Sequence, residues 1–404
     1  MLRELRRTSE YAAEPNTNRV LRMVREARRI SRIEIANRTR LSKATVSEIA
    51  GRLVDSGFLV PVGQGPAGSR GGRKRELLEF NPGAACVFGI DIERTRTDVA
   101  VTNLDATILR RSSFAYPAGT PPKRVLKNLI TALHDLEAQS KDIHQKAVGI
   151  GIGLPGVIDR DTGVIRVADT LQGWAGFDIA AELRKEFDLP IFIENDVKAR
   201  TLGELIFGSG RHVRDAVYLW LGDGIGAGLV IGGRLHHGFT SSAGEIGYNG
   251  VVPSLGRSGT PLLYNGQHDI GELLSESNIL RALGGARAAT SSTDDLMARL
   301  ARKEKRAEQL LGEIGDVIGS LSIALVNMLN PEIVILGGDL FWRSEQLVNV
   351  VQLKVKSDIL PVPANAVRIA ASALKEDGVL LGSVGHVLFD LFRPTRESAE
   401  PAPR

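Results

Sequence analysis

The 404-residue sequence contains a single cysteine, Cys86, and one thiol cannot form a disulfide within the chain. This scarcity fits a protein that folds in a reducing compartment such as the cytoplasm. No run of 18 apolar residues is present, so no transmembrane helix is expected. Residues 1–7 are charged and lack the apolar stretch of a signal peptide. Cys86 lies in an apolar run and is expected to be a buried core thiol.

Acidic residues are scarce in the first 80 residues, which hold 17 Lys and Arg against 9 Asp and Glu. The remainder holds 34 basic and 38 acidic residues, so the net charge of +4 combines a basic N-terminal segment with a mildly acidic body. A basic module on an acidic body indicates a polyanionic partner for the module alone. Charge by itself is equally compatible with a solvated basic surface that has no partner. The pattern of residues in the segment distinguishes these two interpretations.

The N-terminal segment has the pattern of three short helices. Apolar residues recur at helical spacing over residues 16–29, and Ser31 with Glu34 forms the sequence of a capping box that opens a second helix. A short break leads to Ser42, a good N-cap for a third helix that ends at Gly57. Two short helices separated by a tight turn are typical of a helix-turn-helix, although a plain helical bundle would show a similar pattern.

The third predicted helix has small polar residues at its N-terminal end, outside its apolar face. This composition suits a recognition helix, which has to enter a major groove roughly 12 Å wide. Its polar side chains are long enough to reach phosphates or base edges. The predicted DNA-contacting residues of this helix are Lys43, Thr45, Ser47 and Arg52.

A basic, glycine-rich stretch follows at residues 62–75, between two apolar segments. It is typical of the wing of a winged helix, because glycine lets the backbone lie against phosphates and arginine fits a narrow minor groove. Arg70, Arg73 and Lys74 are the predicted DNA contacts of this wing. A flexible linker would have the same composition, and one loop can serve both purposes.

From residue 87 onwards, short apolar strands alternate with helices, and glycines follow most of the strands. This alternation predicts an α/β domain with a mainly parallel sheet and with ligands at the strand ends. The first two strands are expected to pair as a hairpin. The predicted strands are residues 87–92, 98–104, 147–154, 191–196, 216–221 and 333–336.

Six motifs in this region resemble those of the ROK (repressor/open-reading-frame/kinase) family, which contains sugar kinases and sugar-responsive repressors. In chain order they are Gly89-Ile90-Asp91-Ile92, Gly153-Leu154-Pro155-Gly156, Glu194-Asn195-Asp196, the run 222–228, Ala243-Gly244-Glu245-Ile246-Gly247, and Asn330-Pro331-Glu332 followed by Gly337-Gly338. Each motif alone is weak evidence for the family, but six motifs in the family's order, after a predicted winged helix, are strong evidence for the resemblance. The resemblance covers residues 16–390.

The resemblance implies an α/β fold in which a winged helix-turn-helix, residues 1–80, precedes a two-lobed, actin-like sugar-kinase domain, residues 81–404. It also implies a boundary between the lobes near residue 195 and a C-terminal helix that returns to the first lobe. In the family, the sugar is held in the cleft between the lobes.

Two departures from the family pattern affect the phosphate-binding loops. Family kinases place two glycines after the aspartate of the first strand, where backbone N–H groups cradle the phosphates, but here the residues are Glu93 and Arg94. In the second loop, the family's Gly-Thr-Gly is replaced by Gly222-Asp223-Gly224. Because two added carboxylates oppose a polyanion, the chain is not expected to be an active ATP-dependent kinase.

The zinc ligands of the family are also missing. Family members follow Glu-x-Gly with a histidine and a cysteine cluster, whereas this chain has Glu245-Ile246-Gly247-Tyr248 and no second cysteine. A tetrahedral zinc site cannot be formed from this stretch, so neither a metal nor another cofactor is expected. His236, His237 and His268 are interpreted as surface or cleft histidines.

By resemblance, Asn195, Asp196 and Glu245 contact sugar hydroxyls, and the Asp196 position supplies the general base in the kinases. Carboxylates and amides on loops suit polyols because each can form paired hydrogen bonds with hydroxyls. Tyr248 and Gly156 complete the predicted effector-binding set. The alternative is a relic of the fold in which Asn195 and Asp196 merely cap the following helix.

The sequence therefore predicts a cytoplasmic, DNA-binding transcription regulator of carbohydrate-metabolism genes, a repressor controlled by a sugar or sugar-phosphate effector. Its expected partners are a double-stranded DNA operator and further copies of the chain in a homodimer or homotetramer, with no membrane. Two rival functions remain: an active sugar kinase with a fused DNA-binding module, and a DNA-binding scaffold that needs no effector.

Overall fold

The structure is a computed structural model that describes residues 14–65, 75–139, 143, 146–159, 162–250, 262–264, 266–284 and 292–391. The chain divides into two compact units. Unit 1 contains residues 1–154, 168–193 and 383–404, and unit 2 contains residues 155–167 and 194–382. The predicted wing contacts Arg70, Arg73 and Lys74 lie outside the described residues.

Unit 1 begins with a winged helix-turn-helix built from three helices and three short strands. Its elements are α1 (Pro15–Ala27), β1 (Arg29–Ser31), α2 (Arg32–Thr39), α3 (Lys43–Asp55), β2 (Leu59–Gln64) and β3 (Glu76–Phe80). The strands form an antiparallel sheet in the order β1-β3-β2. The three predicted helices are confirmed. Strand β1 has no counterpart in the sequence prediction, because three residues are too few to show a period.

Side-chain caps define where α2 and α3 begin, as predicted. The Glu34 N–H donates to the Ser31 hydroxyl, and the Ser31 N–H donates to the Glu34 carboxylate at 3.0 Å, which completes a capping box. The Thr45 N–H donates to the Ser42 hydroxyl at 3.0 Å. The apolar faces of the three helices are buried at Val20, Leu21, Val24, Ile35, Val46, Ile49, Ala50 and Leu53.

The rest of unit 1 is built on a five-stranded sheet in the order β10-β7-β4-β5-β6. Its strands are β4 (Cys86–Ile92), β5 (Arg96–Asn103), β6 (Ile108–Ala115), β7 (Ala147–Leu154) and β10 (Ile191–Asn195), and its helices are α4 (Pro122–Ala138) and α5 (Ile179–Leu183). The predicted hairpin of the first two strands is confirmed, with β4 antiparallel to β5. Every residue of β4 and β7 is buried, and Cys86 is a buried thiol as predicted.

Unit 2 contains a second five-stranded sheet in the order β13-β12-β11-β14-β15. Its strands are β11 (Ala216–Leu221), β12 (Ile225–Ile231), β13 (Arg234–Leu235), β14 (Ile333–Gly337) and β15 (Arg368–Ala371). A separate hairpin pairs β8 (Val157–Ile158) with β9 (Ile165–Val167).

The prediction of a mainly parallel sheet is wrong. In unit 2, β11 is parallel to β14 and β14 to β15, but β12 is antiparallel to both β11 and β13. In unit 1, β4 is parallel to β7, whereas β4, β5 and β6 pair antiparallel. Short turns such as residues 222–224 explain the difference, because a tight turn can join only antiparallel strands.

Helices cover both faces of the second sheet. On one face, α6 (Asp196–Ile206) packs through Val197 and Leu205 against the side chains of Tyr218 and Ile335. The other face and its surroundings carry α7 (Ile270–Leu273), α8 (Glu276–Gly284), α9 (Thr293–Ala301), α10 (Lys305–Leu329), α11 (Asp339–Arg343), α12 (Glu345–Asp358) and α13 (Pro361–Ala366). The last helix, α14 (Gly378–Leu391), continues from unit 2 into unit 1.

Helix α10 alone, among the described helices, is long and apolar enough to cross a membrane by length and composition. Its buried residues, which include Leu310, Ile314 and Ile318, belong to the main hydrophobic cluster of unit 2. Acidic residues such as Glu308 and Asp316 interrupt its apolar sequence. The core position accounts for the apolar character of this helix, because a buried helix face needs the same residues.

The winged helix is tied to the first sheet by polar contacts within unit 1. Asn81 follows β3, and its side-chain amide donates to the Gly57 carbonyl at 2.9 Å. Arg25 of α1 reaches the turn between β5 and β6, where its guanidinium lies 3.1 Å from the Asp105 carboxylate. The same guanidinium lies over the Phe80 ring, 5.7 Å from its centroid. We call this group of contacts, centred on Arg25 and Asn81, the joint.

The capping box gives a prediction for local stability. Ser31→Ala removes the oxygen that accepts the Glu34 N–H, which should destabilise α2 by about 1 kcal/mol. Hydrogen exchange of the amides of residues 34–39 in the full chain should therefore accelerate roughly fivefold. Ser47→Ala, the same change at an exposed position of α3, serves as the control and should leave these amides unchanged. Equal exchange in wild type and Ser31→Ala would contradict the capping role.

Candidate functional site

Helix α3 presents a polar surface opposite its buried face. Helical spacing places Lys43 and Ser47 one turn apart on one flank of this surface and Thr45 and Arg52 on the other. Lys43, Ser47 and Arg52 are exposed, whereas Thr45 is half-buried. The Thr45 hydroxyl lies 2.8 Å from the Ser42 hydroxyl at the start of the helix. The surface is therefore polar along both edges, which suits a helix that enters the major groove of DNA.

Glu48 lies between the two flanks and was not among the sequence-predicted contacts. Its carboxylate is exposed and forms an ion pair with Arg52 at 2.7 Å, one turn further along the helix. A carboxylate at this position can accept a hydrogen bond from the amino group of cytosine. The sequence could have predicted Glu48 as a DNA contact, because helical spacing places it on the same exposed surface as Lys43 and Arg52.

The N-terminal end of α3 is electropositive. No acidic residue lies in its first turn, and the unpaired N–H groups of a helix start carry partial positive charge. Such an end, with Lys43 beside it, suits a phosphate. At the base of the predicted wing, the Gly65 N–H donates to the Arg75 carbonyl at 2.7 Å, so these two residues, which flank segment 66–74, are paired with each other.

A second group of polar side chains lies in unit 2, where β10 ends and α6 begins. Asn195 is the N-cap of α6, and its side-chain oxygen accepts the Lys198 N–H at 3.0 Å. The amide nitrogen of the same side chain donates to the Gly156 carbonyl and to the Asp196 carboxylate, both at 3.0 Å. The structure thus brings together three of the predicted effector residues. Asn195 does cap the following helix, as the alternative interpretation proposed. The same side chain also orients Asp196 through a hydrogen bond.

The Asp196 carboxyl group is poorly solvated. Burial raises the pKa of Asp196 above its ordinary value, and the positive charge of Arg200, one turn along α6, opposes this rise. Arg200 is itself buried, and its guanidinium stacks 3.8 Å from the centroid of the Trp220 ring. A desolvated carboxylate whose neighbours are fixed can form strong hydrogen bonds with ligand hydroxyls.

Glu245 lies at the end of segment 236–245, which follows β13. The backbone before it is fixed by Gly244, whose φ of +95° and close approach to the Ala227 carbonyl leave no space for a Cβ atom. The Ala227 N–H donates to the Gly244 carbonyl at 2.8 Å. Glu245 is half-buried, whereas Tyr248, on the following short 3-10 helix, is 67% exposed.

Two contacts connect segment 236–245 to the start of α6. His237 Nε2 lies 2.7 Å from the Glu194 carboxylate, and Lys198 Nζ donates to the Ser241 carbonyl at 3.0 Å. Of the three histidines interpreted as surface or cleft residues, His236 and His268 are exposed, whereas the His237 side chain is only 14% exposed and is not a surface residue. Sequence reasoning missed Lys198 and the role of Glu194. Glu194 follows the apolar strand residues 191–193 and could therefore have been predicted to be buried. A buried carboxylate needs a partner, so a contact with a basic or polar side chain was to be expected.

The glycine run 222–228 forms two different structures. Residues 222–224 are a turn with Asp223 exposed at its tip, and the following glycines belong to β12. A Cβ atom at Gly228 would overlap the Thr201 hydroxyl, so this glycine lets α6 pack closely on β12. Glu93 and Arg94 are exposed in the turn between β4 and β5. The first part of the run is therefore a turn, and Gly228 in the second part is needed because α6 packs closely on β12.

Within the described ranges, no group of three or more His, Cys, Asp or Glu side chains is arranged to hold a metal ion. Segment 251–261, which follows the altered Glu-x-Gly-Tyr motif, lies outside those ranges.

Curated relatives match almost the whole chain. The xylose repressor of Caldicellulosiruptor bescii is 26% identical over 382 residues, which cover 92% of this chain and 95% of that protein. The glucokinase of Thermotoga maritima is 28% identical over 308 residues, 74% of this chain and 95% of the enzyme. The repressor similarity therefore includes the winged helix, whereas the kinase similarity leaves about a quarter of this chain unmatched.

The fold is that of a solved ROK family transcriptional regulator, a homolog of the Escherichia coli MLC protein. It superimposes with a TM-score of 0.78 at 22% identity, covering 94% of this chain and 97% of that one. The predicted fold class, a winged helix-turn-helix followed by an actin-like sugar-kinase fold, is confirmed. A winged helix-turn-helix DNA-binding profile matches residues 14–60, and the ROK family profile matches residues 87–388, more than half of the chain. This chain therefore belongs to the ROK family.

Proposed function

We propose that the protein is a transcriptional repressor of carbohydrate-metabolism genes whose affinity for its DNA operator is set by a sugar or sugar phosphate. One observation carries the proposal: a helix with an exposed polar surface, within a winged helix-turn-helix, and a hydrogen-bonded cluster of amide and carboxylate groups occur in one chain. The likeness to a xylose repressor over nearly the full length supports it. Such a protein acts in the cytoplasm, where both ligands are found.

The DNA-binding part is assigned to residues 1–80, and the effector-binding part to residues 81–404. In this assignment α3 enters the major groove, with Ser47 at base edges and Lys43 and Arg52 at phosphates. Thr45 contributes mainly by fixing the helix start through Ser42. Two copies of the chain, in a homodimer or homotetramer, would read two half-sites of one operator.

The effector part is assigned to Asp196 and Glu245, with Asn195 and Gly156 holding Asp196 in place. Sugar hydroxyls both donate and accept hydrogen bonds, so two carboxylates with fixed backbones can distinguish one polyol from another. Tyr248 is a further candidate contact, because it is 67% exposed and carries a hydroxyl group.

We further propose that the protein does not phosphorylate its sugar. Phosphoryl transfer depends on backbone N–H groups and cations that neutralise the phosphates. An exposed carboxylate stands instead in each turn that corresponds to a phosphate loop, at Glu93 and at Asp223. The similarity to a glucokinase is the observation that favours the rival reading of an active kinase.

Regulation requires that the effector bind two conformations of the protein with different affinity, and a coupling of about 1–3 kcal/mol is typical. The joint offers a route in unit 1, because Arg25 and Asn81 attach the winged helix to the first sheet. A displacement of that sheet would then displace α3, and with it the distance between the two half-sites that a dimer can read.

The assignment of α3 predicts different effects of two substitutions on DNA binding. Lys43→Ala should weaken binding to all duplexes and reduce the slope of log affinity against log salt by about 0.9, because one phosphate contact is lost. Ser47→Ala should weaken binding only to the preferred site, roughly fivefold, with relaxed preference at one position of each half-site. Fluorescence anisotropy with sites selected from random duplexes measures both.

Arg22→Ala is the matched control for these measurements, because Arg22 is exposed on α1 and pairs with Glu26 away from α3. It should leave affinity for the selected site unchanged. If the Lys43→Ala/Ser47→Ala double variant binds the selected site as tightly as wild type, α3 is not the recognition helix.

The assignment of Glu245 predicts a separable effect on the effector. Glu245→Ala should weaken sugar binding by about 1–3 kcal/mol, because sugar hydroxyls lose a charged acceptor, and should leave sugar-free operator affinity within about twofold. Operator titrations with D-xylose, D-glucose and D-glucose 6-phosphate measure both quantities. Glu308→Ala, at an exposed position of α10, is the control. If no sugar shifts the wild-type titration, or if Glu245→Ala responds as wild type does, the effector-independent scaffold is the better description.

The raised pKa of Asp196 predicts how stability depends on pH. Since the folded carboxyl group holds its proton more tightly than the unfolded one, stability falls as pH rises through the interval between the two pKa values. Asp196→Asn should therefore stabilise the protein at pH 7, by about 1.4 kcal/mol for each tenfold change in the ionisation constant. The difference should disappear below the unfolded pKa of about 4. Thermal unfolding from pH 3.5 to 8 tests this, and an equal or lower stability of Asp196→Asn at pH 7 would contradict it.

A further inference from the structure

Segment 236–245 is attached to two different elements of unit 2. Strand β12 holds its two ends, because the His236 N–H donates to the Leu229 carbonyl at 2.7 Å and the Ala227 N–H donates to the Gly244 carbonyl at 2.8 Å. The start of α6 and the residue before Asn195 contact the segment at two further places, His237 and Ser241, as described above. The segment therefore links the sheet to the place where Asn195 and Asp196 lie.

Glu194 is the residue through which this link reaches Asn195. One of its carboxylate oxygens accepts the Asn195 N–H at 2.9 Å, and the other lies 2.7 Å from His237 Nε2. The side chains of Glu194 and His237 are only 7% and 14% exposed. A hydrogen bond to a buried carboxylate is among the stronger polar contacts in a protein, so this pair restrains both segments.

The hydrogen bonding of His237 indicates what the ring does. Its second nitrogen, Nδ1, is buried and has no hydrogen-bond partner in the described part of the chain. An unpaired lone pair is less costly to bury than an unpaired N–H group, so the geometry favours the tautomer with hydrogen on Nε2. The polar function of the ring is then to donate to Glu194.

We propose that the Glu194–His237 pair positions Glu245 for the effector, so that His237 is a positioning residue of the effector site. The inference rests on the proposed function, in which Glu245 contacts the sugar. His237 lies at the start of the segment that ends at Glu245, and Glu194 immediately precedes Asn195. Together with the Lys198–Ser241 contact, this hydrogen bond restrains the two halves of the site relative to each other, so that a ligand finds both halves already ordered.

Two isosteric substitutions test the pair. In His237→Gln the side-chain amide nitrogen occupies the place of Nε2 and can still donate to Glu194. In His237→Asn the amide occupies the place of Nδ1 and is too short to reach it. Calorimetric titration with D-xylose and D-glucose should give wild-type affinity within about threefold for His237→Gln, and a loss of about tenfold or more for His237→Asn. His236→Ala, at the exposed neighbouring histidine, should have no effect.

A double-variant cycle separates positioning from general destabilisation. If His237 acts through Glu245, adding His237→Asn to Glu245→Ala should cause little further loss of sugar affinity, whereas independent effects would add. Sugar-free operator affinity should be the same in all these variants. Additive losses, or equal affinities of the Gln and Asn variants, would overturn the proposal.

A measurement without sugar keeps this inference distinct from the proposed function. Hydrogen exchange of the amides of residues 238–246 should accelerate in His237→Asn and not in His237→Gln or His236→Ala. If wild type binds neither sugar and its operator affinity responds to none, the proposed function fails, and the exchange data still decide whether the pair orders the segment. If exchange is equal in all variants, the pair does not position Glu245.

Discussion

The carboxamide of Asn195 fixes the place where β10 turns into α6, and the candidate effector site depends on this one side chain. Its oxygen caps the helix at Lys198, and its nitrogen reaches both Gly156 and Asp196. The side chain of Asn195 thus uses both of its N–H groups and one lone pair of its oxygen to hold other groups. Asn195 is better suited to building the site than to contacting a ligand, and Asp196 is the group it presents.

Helix α6 carries two carboxylates in different surroundings, Glu204 and Asp196. Glu204 is buried and accepts hydrogen bonds from the Ser209 N–H at 2.7 Å, the Ser372 hydroxyl at 2.6 Å and the Leu374 N–H at 2.8 Å. Those bonds replace the water that burial removes. Asp196, two turns earlier, is left in a desolvated state that raises its pKa. Asp196 also accepts a hydrogen bond from Asn195, but burial still raises its pKa, and this agrees with the proposed role of Asp196 in effector binding.

Much of this could be read from the sequence, and the exceptions have physical reasons. Local signals worked where a single residue decides the structure: Ser31 and Ser42 cap their helices as their positions predict. Motifs identified the family because glycines such as Gly244 are required by backbone geometry. The antiparallel edges of the sheets escaped notice, because strand direction depends on how the chain returns and not on composition. The Glu194–His237 pair was also missed, since its members are far apart in sequence and a histidine gives no indication of burial.

The joint leaves the winged helix little freedom of its own. Only residues 81–85 separate β3 from β4. Asn81 in this connection is hydrogen-bonded to Gly57 after α3, and Arg25 of α1 pairs with Asp105 in the β5–β6 turn. A DNA-binding domain on a long tether can adapt to half-sites at several separations, because the tether absorbs the difference. In the proposed dimer, the first sheet would set the separation of the two α3 helices, so inserting or removing a few base pairs between the half-sites should prevent one winged helix from binding. In that proposed dimer, operator spacing depends on the first sheet as well as on α3, and two paralogues with identical recognition helices could serve different genes through the geometry of this short connection alone.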